Sequence, residues 1–415
     1  MRILYIAHRI PYPPNKGEKI RSFHQIKYLA RRHEVHLACL VDDPGDLRFQ
    51  YELRSFCRSV HAVPISRYWA YWRALLSLAS RQPLTLPFFY SARLKRSIAR
   101  MTESLAFDLI YVFSSSMAQY VSDSACVPTV LDMVDVDSDK WRQYARFTRW
   151  PRSALYALEW RRLAAYECSI MKRFRQTLVI AEPEAKILRA LNPSSAITVI
   201  ANGADVADGD PPAGGSVSAD LRRAAPYVVF TGAMDYFPNI DGVRYFINEV
   251  WPQVRRAVPD LRFYVVGMNP TRAIRALAKR DLNVVVTGYV PDTRPYLAHA
   301  AACVIPLRIA RGIQNKILEA AAAGTPVITT PQALEGLCFE PGREVRLADT
   351  AATFAEEVVR VVQSPEQYRQ QIAAAIEAVK THYSWEASLL QLDTLLCAVA
   401  DTYRNQPHKS AAQAI

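Results

Sequence analysis

The feature that most constrains this chain is a rhythm. Short runs rich in β-branched and apolar residues recur along its whole length, and longer stretches of helical periodicity separate them. In the first half the pattern predicts strands over 3–7, 35–40, 107–113, 129–133 and 177–181, with helices over 16–32, 66–80, 92–104 and 153–174. In the second half it predicts strands over 227–231, 262–266, 283–287, 303–306 and 326–329, and a last helix over 384–400. Alternation of this kind builds parallel sheets covered by helices on both faces, an α/β fold. The two series are interrupted at 207–225, where Asp208-Gly209-Asp210-Pro211-Pro212-Ala213-Gly214-Gly215-Ser216 has the composition of a linker. A chain of 415 residues suits two domains of about 150–200 residues each. The boundary falls near Asn202, giving a first domain over 1–201 and a second from 202 to about 380.

Charge and cysteine usage narrow the chemistry. The formal net charge of +12 favours anionic partners such as nucleotide diphosphates, acidic lipid head groups or nucleic acid. The seven cysteines are odd in number and none has CxxC spacing, so neither a disulfide framework nor a zinc site is expected, and a reducing compartment fits best. The apolar run at Met1–Ile6 is too short for a signal peptide, and no stretch reaches the ~20 apolar residues of a membrane span. A cytoplasmic protein is expected. No Ser-His-Asp, HExxH, GxGxxG or Gly-Lys pattern supports hydrolase, dehydrogenase or ATPase chemistry.

In open parallel sheets ligands bind beyond the carboxyl ends of strands, and two such domains face one another across a cleft. The loop after the strand at 303–306 is the richest place to look. It reads Arg308-Ile309-Ala310-Arg311-Gly312-Ile313-Gln314-Asn315-Lys316-Ile317-Leu318-Glu319-Ala320. Gly312 lets backbone approach a ligand closely. A helix from Asn315 would point its free N–H groups at the loop, which suits a diphosphate. Arg308 and Lys316 add positive charge. Lys316 and Glu319 share a helix face, so Glu319 can accept the ribose hydroxyls of a nucleotide. The plainer alternative is a Lys316–Glu319 surface ion pair worth ~0.2–0.5 kcal/mol.

The pattern Arg-x3-Gly-x3-Lys-x2-Glu-Ala-x3-Gly-x-Pro-Val resembles the donor-site signature of retaining GT-B glycosyltransferases of family 4. Asn202-Gly203-Ala204-Asp205 resembles the element that opens the family's donor domain, and Phe230-Thr231-Gly232-Ala233-Met234-Asp235 its first donor strand and loop. Tyr383-Ser384-Trp385-Glu386 resembles the start of the C-terminal helix that crosses back to the first domain, here 381–415 with its tail. Met1–Arg32, with Pro11-Tyr12-Pro13-Pro14 and Gly17-Glu18, resembles the acceptor-side glycine loop. The details are most similar to sugar transferases of exopolysaccharide gene clusters of the exosortase-associated kind. The resemblance implies two Rossmann-like doubly wound domains facing a central cleft. It implies a hexosyltransferase that moves a sugar from a nucleotide-diphosphate sugar to a glycan or polyprenyl-linked acceptor. By the same resemblance Glu319 holds the ribose, Arg308 and Lys316 meet the diphosphate, and Gly17 and Gly232 let backbone approach it. Arg311, Gly312, Ile313, Gln314 and Asn315 complete the donor loop. Arg311 stands where many relatives have a glutamate that contacts the donor sugar. The segment Met234–Asn239 lacks a basic pair common in the family, so Arg308 and Lys316 must supply that charge. No metal or other cofactor is implied. A nucleotide-sugar epimerase and a non-catalytic sugar-nucleotide binder are the rival readings.

Asp132, Asp135, Asp137 and Asp139 form two D-x-D patterns after a strand. They allow a metal site, a contact to a sugar or acceptor hydroxyl through Asp135, or a helix N-cap by Asp137 or Ser138. His8, at a strand end, either reaches a ligand or is a satisfied structural residue. His299 reads as a structural helix residue. Between Ser66 and Thr102, the basic residues Arg67, Arg73, Arg81, Arg93, Lys95, Arg96 and Arg100 are interleaved with Tyr68, Trp69, Tyr71, Trp72, Phe88, Phe89 and Tyr90, without an acidic residue. That composition suits peripheral contact with an anionic membrane, at the inner face of the cell membrane, or an exposed basic helix pair. No nucleic-acid module accompanies it.

Overall fold

The computed structural model describes residues 1–14, 17–122, 127–204, 206, 221, 226–310 and 312–405. Apart from Leu221, the linker expected over 207–225 lies outside them, as do Asp205 and Arg311. The chain divides into two compact units, Met1–Ile200 with Ala387–Ile415, and Ala201–Glu386.

The first unit is built on seven parallel strands: β1 (Arg2–Ala7), β2 (Glu34–Val41), β3 (Ser59–Pro64), β4 (Leu109–Phe113), β5 (Thr129–Val134), β6 (Gln176–Val179) and β7 (Ile197–Val199). Their order is β3-β2-β1-β4-β5-β6-β7. β1, β2 and β4 are buried almost throughout, which explains their unbroken apolar sequences, since a parallel sheet is covered on both faces. The Ala92–Ser104 helix shows why its residues take that form. Ser91 caps it through the Leu94 amide, and Leu94, Ile98 and Met101 face inward at helical spacing. They join Leu4, Ile6, Ala38 and Leu40 in one core. The edge strands β3 and β7 escape the sequence pattern. β3 buries only Val60 and Val63, and β7 has three partly buried residues.

A buried polar knot pins the centre of this sheet. Asp132 accepts hydrogen bonds from Arg21 Nε at 2.9 Å, Gln25 Nε2 at 2.9 Å and the Tyr111 hydroxyl at 2.7 Å. Arg21 also donates to the Ile200 carbonyl at 2.8 Å. The first aspartate of the acidic cluster is thus a structural hub. Breaking such a knot by removing one partner costs about 3–5 kcal/mol, because the other charge stays buried. The Trp385–Asn405 helix buries Leu389, Leu392, Leu396 and Ala400. Its Asp393 pairs with His33 Nε2 at 2.6 Å, Arg404 pairs with Asp108, and the Arg175 guanidinium lies 5.3 Å over the Tyr403 ring.

The second unit has six parallel strands: β8 (Tyr227–Thr231), β9 (Arg262–Val266), β10 (Val284–Gly288), β11 (Ala302–Ile305), β12 (Val327–Thr329) and β13 (Arg346–Leu347). They run in the order β10-β9-β8-β11-β12-β13. The two-residue β13 is too short to leave a pattern in the sequence. Gly203 and Trp385 meet in this unit, and a Cβ at Gly203 would stand 2.4 Å from the indole. Among the described residues, no helix is long and apolar enough to cross a membrane.

Candidate functional site

Each sheet reverses its strand order once at its middle, between β1 and β4 in the first unit and between β8 and β11 in the second. Loops that leave adjacent strands in opposite directions open a crevice there, beyond the carboxyl ends. Of the residues singled out in the sequence, His8 and Asp135 lie at the first of these points, and Arg308, Gly312, Lys316 and Glu319 follow β11 at the second.

At the second unit's switch point, Gly232 follows β8 and β11 leads into Arg308. The Asn315–Ala322 helix follows, and its N-cap residue Gln314 makes no side-chain cap bond. Lys316 Nζ donates to Asn239 Oδ1 at 2.6 Å and lies 4.3 Å from the centre of the Phe230 ring. Asn239 Nδ2 in turn donates to the Ala233 carbonyl at 2.9 Å. Gly232 has a φ of +149°, and a Cβ there would sit 2.6 Å from Asn239 Nδ2 and 3.2 Å from Lys316 Nζ. Only glycine leaves room for this loop to lie against the ammonium. Gly312 sits in the left-handed region at φ 60°, which turns the loop into the helix. Ile313 is buried and anchors the turn, and Asn315 accepts a hydrogen bond from Asn202 Nδ2 at 3.1 Å. That contact gives the Asn202-Gly203 element a local purpose: it holds the helix start.

Lys316 and Glu319 do not form the surface ion pair that their spacing allows. Lys316 is drawn to Asn239 instead, and no pair to Glu319 is formed. Burial pushes the Glu319 carboxyl up to about 7, against the pull of Lys316. Burial likewise pushes the Lys316 ammonium down to about 8. A desolvated lysine and a desolvated carboxylate one turn apart are each poorly satisfied by the protein alone, which is a mark of a binding site.

Arg308 differs from its expected role. It makes a bidentate pair with Asp241, at 2.7 and 3.0 Å, and its guanidinium lies 5.0 Å over the Tyr245 ring. Its charge is already answered by a carboxylate, so Lys316 is the cation left to meet an anion among the described residues of this loop. Asn239 was not legible as a site residue. The only available hint was its place seven residues after Gly232.

At the first unit's switch point lie His8 after β1, Ser114 after β4, and Val134 and Asp135 at the end of β5. They line a cavity of about 560 Å³. Among the described residues, two of the three non-glycine residues with positive φ, Ser114 (82°) and Val134 (65°), line it. A β-branched residue in that region is strained, and such strain collects at functional sites. The Val134 amide reaches back to Asp132 Oδ1 at 3.1 Å, and the strand slips register between Asp132 and Val134. This bulge turns Asp135 out of the sheet. Asp135 Oδ1 and His8 Nδ1 are buried with no hydrogen-bond partner among the described residues. Burial first, then the charge of Asp137, pushes the Asp135 carboxyl up to about 6. Burial, then Arg9, pushes His8 down to about 4, so its ring is neutral at pH 7. The ring stacks on Phe113, with centroids 5.8 Å apart.

The remaining acidic residues are accounted for locally. Asp139 pairs with Arg142, and Asp137 accepts from the Ser115 hydroxyl at 3.1 Å. The N-cap by Asp137 or Ser138, one of the alternatives the sequence allows, is not formed. The Asp137–Phe147 helix is capped by no side chain of its own; the Val136 amide donates to Glu184 at 2.7 Å and the Ser138 amide to Glu167 at 3.0 Å. Carboxylates from distant helices do the work because Asp137 is already drawn towards Ser115. Gly17 opens the Gly17–Leu29 helix in the first unit and is exposed, and His299 ends the short Arg294–Ala298 helix.

Comparison with known proteins agrees with this architecture. Residues 225–364 match the family described as Glycosyl transferases group 1. No curated protein matches the chain. Among solved structures, the chain is similar to the sucrose-phosphate synthase of Thermosynechococcus elongatus, with a TM-score of 0.74, 18% identity, and 97% of this chain and 100% of that one covered. It is also similar to Anabaena HepE in complex with UDP and glucose, with a TM-score of 0.69 at 14% identity over 96% of this chain and 100% of the other. A third is an S. aureus TarM variant in complex with Fondaparinux, alpha-GlcNAc-glycerol and UDP, with a TM-score of 0.66 at 10% identity over 95% and 99%. The fold is the GT-B fold of two Rossmann-like domains, and the chain is a glycosyltransferase.

Proposed function

We propose that this glycosyltransferase moves a hexose from a nucleotide-diphosphate sugar to a glycan or lipid-linked acceptor, with retention at the anomeric carbon, as a family 4 enzyme of exopolysaccharide assembly. The observation that carries the donor half is the half-buried Lys316, held by Asn239 against Gly232 at the start of the Asn315–Ala322 helix, with Glu319 one turn further on. HepE and TarM, the similar structures that hold UDP, agree with a uridine nucleotide as the first donor to try.

In this reading the diphosphate sits over the helix start, where the positive end of the helix dipole and Lys316 answer its charge. Glu319 accepts the ribose hydroxyls. As the bond from the anomeric carbon to the diphosphate breaks, negative charge grows on the leaving oxygen, and Lys316 is already placed to stabilise it. The new bond forms to the acceptor oxygen on the same face, and the departing phosphate takes the acceptor's proton. Asp135 orients a sugar or acceptor hydroxyl. Arg308, tied to Asp241, shapes the loop and contributes charge at longer range.

Membrane contact belongs to the same proposal. Tyr68, Trp69, Tyr71, Trp72, Leu75 and Leu76 of the Arg67–Leu76 helix are exposed, and Arg93, Lys95, Arg96 and Arg100 are exposed on the Ala92–Ser104 helix. Aromatic side chains beside a basic face are suited to an anionic lipid surface.

The test is a turnover screen over nucleotide sugars with and without a polyprenyl-linked acceptor, with the product anomer read by NMR. Acceptor-dependent transfer with retention is expected. An isomerised nucleotide sugar released without acceptor would make the protein an epimerase, and an inverted product would overturn the retaining mechanism.

A further inference from the structure

The outer edge of the first unit's sheet carries positive charge that neither crevice uses. A pocket of about 770 Å³ lies along β3, which has a neighbour only on its β2 side, away from the reversal between β1 and β4. Its lining includes four arginines and no carboxylate. Arg54 ends the Gln50–Arg54 helix, and Arg93, Arg96 and Arg100 come from the Ala92–Ser104 helix. None of the four forms an ion pair among the described residues. Arg96 Nε turns back to the Ala92 carbonyl at 3.4 Å, and the Arg54 guanidinium lies 5.9 Å from the centre of the Tyr51 ring. The arginines near the start of the chain are treated differently. There Arg2 pairs with Glu34 at 3.2 Å and Arg32 with Asp393 at 3.4 Å.

Arg93, Arg96 and Arg100 recur at helical spacing, so they share one face of their helix, where like charges repel. An anion in the pocket relieves that repulsion. Guanidinium groups stay charged at any physiological pH and offer paired N–H donors that match phosphate oxygens. His61 of β3 adds a ring to the same lining. Its Nδ1 meets the Ser97 hydroxyl at 3.0 Å, and its Nε2 has no partner among the described residues. Burial, then His36 and Arg54, hold His61 below its usual value, in keeping with a positive local field.

We propose that this pocket is a second anion site, which takes a phosphate group carrying two or more negative charges between Arg54 on one side and Arg93, Arg96 and Arg100 on the other. It is separate from the Lys316 loop, and it does not depend on the sugar-transfer reading. The phosphate belongs either to a soluble phosphate compound or to a phosphomonoester lipid head group. In the second case the pocket adds recognition of one head group to the general attraction of a basic helix for an anionic surface.

The test uses the full chain with Lys316→Ala, which removes the cation of the other crevice, and follows inorganic pyrophosphate binding by calorimetry at fixed ionic strength. Saturable binding is expected. Arg96→Gln and Arg100→Gln, both at exposed positions, should each weaken it at least about fivefold, through loss of a charged hydrogen bond. Lys95→Gln removes the same charge from the same helix outside the pocket lining, and should change the affinity less than about twofold, because an exposed charge is screened. Sedimentation with phosphatidylcholine vesicles containing phosphatidic acid identifies the source of the phosphate. Vesicle binding that pyrophosphate displaces and Arg96→Gln weakens assigns the site to a lipid head group. Pyrophosphate binding without such vesicle binding assigns it to a soluble phosphate. Absence of saturable pyrophosphate binding, or equal losses in Lys95→Gln and Arg96→Gln, would overturn the proposal.

Discussion

The two units solve the same geometric problem with opposite chemistry. Each is a parallel sheet that reverses direction at its centre, and each concentrates unusual side chains at that reversal. In the second unit the crevice holds a desolvated lysine, a desolvated carboxylate and a glycine with no room for a Cβ. In the first it holds a neutral histidine, a strained valine, a raised aspartate and a wall of apolar side chains. A fold therefore sets where a ligand sits, while the residues after the strands decide what it is. A cation at a helix start selects an anion. Buried polar atoms without partners among the described residues leave room for a ligand's hydrogen-bonding groups.

Substitutions can break or sharpen this contrast. The largest effect belongs to Lys316→Ala, which should lower kcat by about 10²–10³ with the fold intact, since a charge aimed at the leaving group acts mainly in the transition state; kcat unchanged would remove Lys316 from the chemistry. Next comes Asp135→Asn. It should raise the acceptor KM by about tenfold, the loss of one charged hydrogen bond, and leave slow donor hydrolysis in place. Equal damage to donor binding would erase the division of labour between the units.

A smaller effect concerns protons. Lys316 titrates near 8, below its usual value, and Glu319 near 7, above its usual value. If both become fully charged when a nucleotide sugar binds, Lys316 takes up as much as about half a proton at pH 8, and Glu319 releases about half near pH 7. Calorimetry in buffers of different ionisation enthalpy should therefore show net uptake at pH 8.5 and net release at pH 6.5. The same carboxyl should make donor affinity fall as pH drops below 7. The smallest change is expected from Arg308→Ala, less than about threefold in kcat/KM, because its partly exposed guanidinium is already paired with Asp241.

The sequence was most legible where a physical requirement leaves a continuous trace. The fully buried strand β8 reads correctly to the residue because both of its faces must be apolar. The edge strands β3, β7 and β13 were invisible because a short or half-covered strand makes no such demand. In the loop after β11, the placing of Gly312 before the helix and the spacing of Lys316 and Glu319 on one helical turn were readable. The partner of Lys316 was not, since Asn239 is brought in from another helix by tertiary packing. Arg308 shows the converse. Its charge was legible, but Asp241, 67 residues away, was not. The acidic cluster misled in the same way. Four aspartates close in sequence have separate tasks: Asp132 ties the core, Asp139 pairs with Arg142, Asp137 meets Ser115, and Asp135 lines the cavity with no partner for its Oδ1 among the described residues.

The central claim is that Lys316 and Glu319 form a nucleotide-sugar site in the second unit, and nucleoside diphosphate binding to the wild type and to Glu319→Ala tests it most directly. Calorimetry at pH 8 over uridine, guanosine, adenosine and cytidine diphosphates should find at least one that binds the wild type, with affinity lowered about 10–100-fold in Glu319→Ala, the range expected for losing hydrogen bonds to a charged acceptor. Binding of the same nucleotide with equal affinity to both proteins, or of none to the wild type, would contradict the account.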